Sequence, residues 1–172
     1  VGSIWSISVS ATTGKPKWRE RNIITSLFIQ PEEMEQVNLQ LQAKYREMQQ
    51  EVRYETFGAE DAEVLIVAFG LTARIAQKAM ELARQKGLRV GLLRPITLYP
   101  FPYEAIANIA RNVFSVLVVE LNAGQMVEDV RLAVNGRRPV YFKGRMGGMI
   151  ITPEEILEEL EILAEDYRLV RV

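Results

Sequence analysis

The sequence predicts an α/β domain, a three-layer α/β/α sandwich built on a mostly parallel sheet. Two short apolar runs carry the prediction: Val64-Leu-Ile-Val-Ala-Phe-Gly70, and Leu117-Val-Val-Glu-Leu-Asn122 followed by Gly124. Each passes directly into a helix-periodic segment, and an unbroken apolar run is what a strand covered on both faces requires. Between about residues 61 and 165, strand-like and helix-like segments alternate, the pattern of repeated β–helix–β crossovers. Right-handed crossovers place helices on both faces of the sheet.

The elements follow in order. Ser3–Ser10 alternates loosely around Ile4, Trp5, Ile7 and Val9 and reads as a strand, ended by Thr13-Gly14-Lys15-Pro16,. Lys15, Lys17, Arg19 and Arg21 form a small basic patch, read as a solvated linker or else as a contact for an anion or an acidic partner. Pro31 opens a helix with Glu32 and Glu33 at its positive end,. Met34, Val37, Leu41, Tyr45 and Met48 make one apolar stripe, as on an arm laid across another surface, in cis or on a partner. The reading divides the chain into residues 1–60, a linker and arm, and residues 61–172, the α/β domain.

In the domain, Val64–Ala68 is the first strand, and the helix Thr72–Lys86 turns Ile75, Ala76, Ala79, Leu82 and Ala83 inward. Gly87 stops it,. Arg89–Leu93 is the second strand, and Pro95, Pro100 and Pro102 hold back the next helix to about Phe101,. That helix runs to Arg111 with Ile106, Ile109 and Ala110 inward; Val116–Leu121 is the third strand. Gln125–Asn135 is a helix with Met126, Val130 and Val134 on one side, and Arg138–Phe142 is a shorter strand near an edge. Gly144-Arg-Met-Gly-Gly148 is a flexible loop. Thr152, Pro153 and Glu155 stand at capping-box positions of a last helix that buries Ile156, Leu157, Leu160 and Leu163,. Its glutamates form a solvated face, not a metal site.

Composition excludes several classes. The 21 Lys and Arg against 22 Asp and Glu give no field that gathers nucleic acid or an anionic membrane,. No window approaches the roughly 20 apolar residues of a membrane span, and the start lacks the pattern of a signal peptide. Cysteine and histidine are absent from the sequence, so these residues supply no disulfide, thiolate or imidazole chemistry. The expected location is the cytoplasm, and the initial valine predicts a fragment of a longer protein.

The strand ends on one edge hold the candidate site, because ligands in open α/β sheets sit beyond the carboxyl ends of the strands. Gly70 permits a sharp turn, the amides of Thr72, Ala73 and Arg74 then favour an anion, and Thr72 or a neighbour is the expected cap. Arg74 adds charge. Glu120 ends an apolar run beside Asn122, Gly124 and Gln125. Its open readings are an ion pair with Arg94 or a bond to loop amides, an interface contact, or catalysis. Arg145, in the glycine-dense loop, is a candidate for a phosphate or a partner carboxylate. No phosphate-loop spacing is present, and no residue stands out as a complete catalytic group.

Several adjacent motifs carry a family resemblance. They are Gly70-Leu-Thr-Ala-Arg74, Ala79-Met-Glu-Leu-Ala-Arg84, Lys86-Gly87, Val90-Gly-Leu-Leu-Arg-Pro-Ile-Thr-Leu-Tyr-Pro-Phe-Pro102 and Val118-Val-Glu-Leu-Asn-Ala-Gly-Gln125. Together they resemble the C-terminal domain of the alpha subunit of 2-oxoacid:ferredoxin oxidoreductases, of the branched-chain (2-oxoisovalerate) or 2-oxoglutarate type. Asn22-Ile-Ile-Thr-Ser-Leu27 and Pro31-Glu-Glu-Met-Glu35 resemble the linker before it. The resemblance implies a transketolase C-terminal-like fold in an enzyme that converts a 2-oxoacid and coenzyme A to acyl-CoA, carbon dioxide and reduced ferredoxin. It implies thiamine diphosphate, Mg2+ and iron–sulfur clusters held elsewhere in the complex, and none bound by this chain alone. It implies beta and gamma- or delta-type subunits and ferredoxin as partners in an oligomer. This domain would organise subunit contacts and active-site architecture. A stand-alone α/β module binding an anion or nucleotide at the glycine turns is the competing reading.

Overall fold

A computed structural model describes residues 17–18 and 26–170. The strand read at Ser3–Ser10 and the basic patch, Lys17 excepted, lie outside them. The chain divides into two compact units, Val1–Arg46 and Glu47–Val172. Helix α1 (Pro31–Met48) starts at the predicted proline, with Glu32 and Glu33 in its first turn. None of its residues is buried. Met34, Val37 and Met48 are half-buried, whereas Leu39, Leu41 and Tyr45 are exposed.

The second unit is a five-stranded sheet flanked by helices. Its elements are β1 (Tyr54–Phe57), β2 (Val64–Ala68), α2 (Gly70–Gln85), β3 (Val90–Pro95), α3 (Tyr103–Ile109), β4 (Ser115–Glu120), α4 (Met126–Val134), β5 (Val140–Gly144) and α5 (Pro153–Val170). The strand order is β1-β3-β2-β4-β5. β2, β3, β4 and β5 are parallel, and β1 runs antiparallel to β3 with Glu55 opposite Arg94. β5 is an edge strand, as expected. β1 falls in the segment read as part of the arm. It gives no apolar run because Tyr54, Glu55 and Thr56 are all exposed.

Both faces of the sheet are covered. Every residue of β2 and β4 is buried. One half of the core joins Ile66, Leu92 and Leu117 to the alanines of α2 and to Ile156 and Leu160 of α5. The other joins Leu65, Val67 and Val118 to Ile106 of α3 and Val130 of α4. Ala76, Ala79 and Ala83 are fully buried, and their small size lets α2 lie close to the strands. Arg84 ties this helix to the β1–β2 connection. Its guanidinium donates to the Gly58 and Val90 carbonyls at 2.7 Å each and to Asp61 Oδ1 at 2.6 Å. That bond to Arg84 holds the Asp61 carboxyl below its ordinary range. The last helix carries the complete capping box: the Thr152 amide donates to Glu155 Oε2 at 2.8 Å, and the Glu155 amide to Thr152 Oγ1 at 3.2 Å. Among the described residues no helix is long and apolar enough to cross a membrane.

Candidate functional site

All four parallel strands end on one edge. There the chain leaves β2 into α2 on one face and β4 into α4 on the other, although β2 and β4 are neighbours. This divergence opens a crevice at the strand ends. It is a cleft of about 170 Å³, lined by Phe69, Leu98, Phe101, Glu120, Gln125, Met126 and Asp129.

Glu120 is the chemical centre of this edge and is fully buried. Its Oε2 accepts from Asn122 Nδ2 at 3.0 Å and from the Met126 amide at 2.9 Å. Its Oε1 accepts from the Val127 amide at 3.0 Å, and the Gln125 amide reaches both oxygens at 3.3 Å. These are the amides that open α4 and have no carbonyl one turn earlier. The carboxylate caps the helix from the strand beside it, where the helix dipole favours negative charge. Asn122 Oδ1 accepts from the Gly124 amide at 2.7 Å, which closes the turn at φ +106 for Gly124. Of the readings open for Glu120, the structure selects the bond to loop amides. Its oxygens meet enough donors to occupy their lone pairs, so a proton-transfer role requires breaking the cap.

The pairing of Glu120 with Arg94 is overturned. Arg94 Nη1 binds Glu55 Oε2 at 3.1 Å, because β1 sets Glu55 directly opposite it. A side-chain cap from Thr72 is also overturned. The helix begins at Gly70, with extended Phe69 in the cap position and no side-chain bond there. Gly70, at φ +58, makes the turn, and Thr72 is buried inside the first turn. The Ala73 amide is not free, since it donates to the Phe69 carbonyl at 3.2 Å. The free amides lie earlier, at Leu71 and Thr72. The Arg74 side chain is exposed and makes no hydrogen bond or ion pair among the described residues. Arg145 is held by Glu155, while its amide donates to the Glu120 carbonyl at 3.2 Å.

The structure thus gathers Glu120, Asn122 and Gln125 into one network. Gly70, Thr72 and Arg74 sit on the neighbouring turn, and Arg94 and Arg145 are spent on acids of this chain. Among the described residues no cluster of three or more His, Cys, Asp or Glu side chains is placed to hold a metal.

One polar contact near the cleft has no sequence signal. The Tyr103 hydroxyl of α3 donates to Asp129 Oδ1 of α4, and its pKa is raised from 10.0 to about 12, chiefly by that bond. The folded state holds this proton more tightly than the unfolded chain. The bond's contribution to stability is therefore complete below pH 10 and vanishes as pH rises from 10 to about 12,. The stability gap between the wild type and Tyr103→Phe, measured by urea unfolding near pH 8 and again in steps through that window, is expected to close. A gap independent of pH would show that Asp129 does not hold the phenol proton.

Residues 62–156 match the family described as pyruvate:ferredoxin oxidoreductase core domain II. Ketoisovalerate oxidoreductase subunit VorB of Methanothermobacter thermautotrophicus is 44% identical over 147 residues, 85% of this chain and 42% of that protein. 2-Oxoglutarate synthase subunit KorA of Methanothermobacter marburgensis is 34% identical over 101 residues, 59% of this chain and 27% of that protein. Among solved structures, 2-oxoglutarate:ferredoxin oxidoreductase from Magnetococcus marinus, with 2-oxoglutarate, coenzyme A and succinyl-CoA bound, superposes with a TM-score of 0.63. It is 22% identical, and the match covers 78% of this chain and 24% of that one. A split-gene transketolase gives a TM-score of 0.55 at 19% identity, covering 63% and 40%. The two structures support the transketolase C-terminal-like fold. The chain spans less than half the length of the curated relatives it matches.

Proposed function

The chain belongs to the pyruvate:ferredoxin oxidoreductase core domain II family, and from that membership we propose that it is the C-terminal domain of the alpha subunit of a thiamine-dependent 2-oxoacid:ferredoxin oxidoreductase. The whole enzyme would join the acyl part of a 2-oxoacid to coenzyme A, release carbon dioxide and pass two electrons singly to ferredoxin. The match over residues 62–156 carries this reading. The greater identity to ketoisovalerate oxidoreductase subunits than to 2-oxoglutarate synthase subunits favours a branched-chain acid.

In this reading the domain serves assembly and architecture. Glu120 is committed to capping α4, so the sheet edge is a rigid shape more than a source of acid or base. The residues present do not fit the iron–sulfur clusters, since the sequence contains no cysteine,. In the proposed enzyme the clusters, with the thiamine diphosphate and its Mg2+, would be held by beta and gamma- or delta-type subunits or by other parts of the alpha subunit. With the boundary proposed at 60/61, β1 falls in residues 1–60 although it pairs with β3 of the second unit.

Two measurements test the proposal. The full-length subunit, co-expressed with its partners, is expected to support coenzyme A-dependent ferredoxin reduction, fastest with 2-oxoisovalerate among branched-chain acids, 2-oxoglutarate and pyruvate. The polypeptide of residues 1–172 alone is expected to show no heat of thiamine diphosphate binding by calorimetry. Tight stoichiometric binding would overturn the assignment of the cofactor to other parts of the enzyme.

A further inference from the structure

A cavity of about 250 Å³ lies at the amino ends of β4 and β5, the edge of the sheet opposite Glu120. Alternation along the strands sets the face it occupies. Ser115 stands two residues before Leu117, and Tyr141 stands beside Leu117 in the parallel register. Both therefore look to the side of the sheet that α5 covers. Phe114, Pro139, Tyr141 and Leu163 give the cavity apolar walls, and Leu163 is fixed by the core beneath α5. The polar groups that line it are Ser115, Arg138 and Asp166. Ser115 is only 7% exposed, yet its hydroxyl has no hydrogen-bond partner among the described residues. Buried hydroxyls are normally bonded; this one faces the cavity instead.

Arg138 donates from Nε and Nη2 to the Ala110 and Arg111 carbonyls at 3.3 and 3.1 Å. Those carbonyls orient the guanidinium without neutralising it, and Nη1 has no partner among the described residues. Neither Arg138 nor Asp166 makes an ion pair among those residues. A cation and an anion thus line one apolar cavity without meeting each other. A bare anion drawn to Arg138 would be opposed by Asp166, and a simple amine drawn to Asp166 would be opposed by Arg138. A zwitterion satisfies both. We infer that this cavity binds a free α-amino acid with a small apolar side chain. Its carboxylate accepts from Arg138 Nη1 and the Ser115 hydroxyl, its ammonium group donates to Asp166, and its side chain lies against Phe114 and Leu163. The volume suits so small a molecule, since pockets for larger ligands run to roughly 300–1,000 Å³.

The test titrates L-valine into the full-length subunit in its assembled complex, read by calorimetry. A Kd at or below about 1 mM is expected. Isobutylamine and isovalerate are valine without its carboxylate and without its ammonium group, and each is expected to bind about tenfold more weakly or worse. Glycine, without the apolar side chain, is expected to lose about tenfold as well. Asp166→Asn is expected to weaken valine about tenfold, with circular dichroism unchanged. Ser115→Ala separates ligand binding from stability. It removes a hydroxyl that no group of the fold meets, so urea unfolding is expected to show no loss, while valine binds about threefold more weakly. Absence of heat with valine, equal affinity for isobutylamine or isovalerate, or an unchanged valine affinity in Asp166→Asn overturns the inference. Destabilisation by Ser115→Ala overturns it too, because the hydroxyl then has its partner within the fold. Each of these results leaves the family assignment standing.

Discussion

Glu120→Ala is expected to destabilise the domain by about 4 kcal/mol. The substitution removes a fully buried side chain and strands the Met126 and Val127 amides it holds at 2.9 and 3.0 Å. Each buried donor left without an acceptor costs about 1–3 kcal/mol, and loss of a helix cap alone costs about 1. Water entering through the adjoining cleft recovers part of this, since Glu120 and Gln125 both line it. Glu120→Gln keeps the shape and one acceptor oxygen but turns an NH2 group towards amide donors. Its expected loss is smaller, about 2 kcal/mol. Urea unfolding of both variants, read by circular dichroism, checks the order. Against the 5–15 kcal/mol typical of a domain, the alanine variant loses a large share. Equal, small losses would show that the amides find other acceptors.

The sequence and the structure agree where one short segment decides the outcome. Val64–Ala68 is apolar throughout and is buried throughout. Thr152, Pro153 and Glu155 specify a helix start within four residues, and both capping bonds are present. Glu120 is identifiable as an unusual acid because it ends such a run. Its partners are less so: the sequence leaves the loop amides and Arg94 as alternatives, and β1 decides between them by setting Glu55 against Arg94. β1 itself is short, polar and exposed, so no burial pattern marks it. Tyr103 and Asp129 lie on separate helices and meet only when α3 and α4 pack together. Periodicity reports which face a residue occupies; it does not report which neighbour it finds there.

The same limit hides the role of Gly91, which reads as an unremarkable glycine within a strand. A Cβ built on Gly91 lies 2.8 Å from the Gly58 carbonyl oxygen, 2.9 Å from Ala62 Cβ and 3.0 Å from Ala59 Cα. The β1–β2 connection crosses directly over β3 there, and Arg84 pins it through Gly58 and Asp61. Two of those three contacts are backbone, so no rotamer change relieves them. Gly91→Val is therefore expected to lift the connection, lengthen the Arg84 bonds and cost about 3 kcal/mol, the upper part of the usual overpacking range. Gly136→Ala supplies the contrast. It stands at φ +70 with nothing near its Cβ, so its cost is backbone strain alone, about 1 kcal/mol. In Gly91→Val, amide exchange is expected to rise first across residues 58–63, and Arg84→Met, which releases the same connection, should then add less than its effect in the wild type. Full additivity of the two substitutions would mean that the connection is not what Gly91 accommodates.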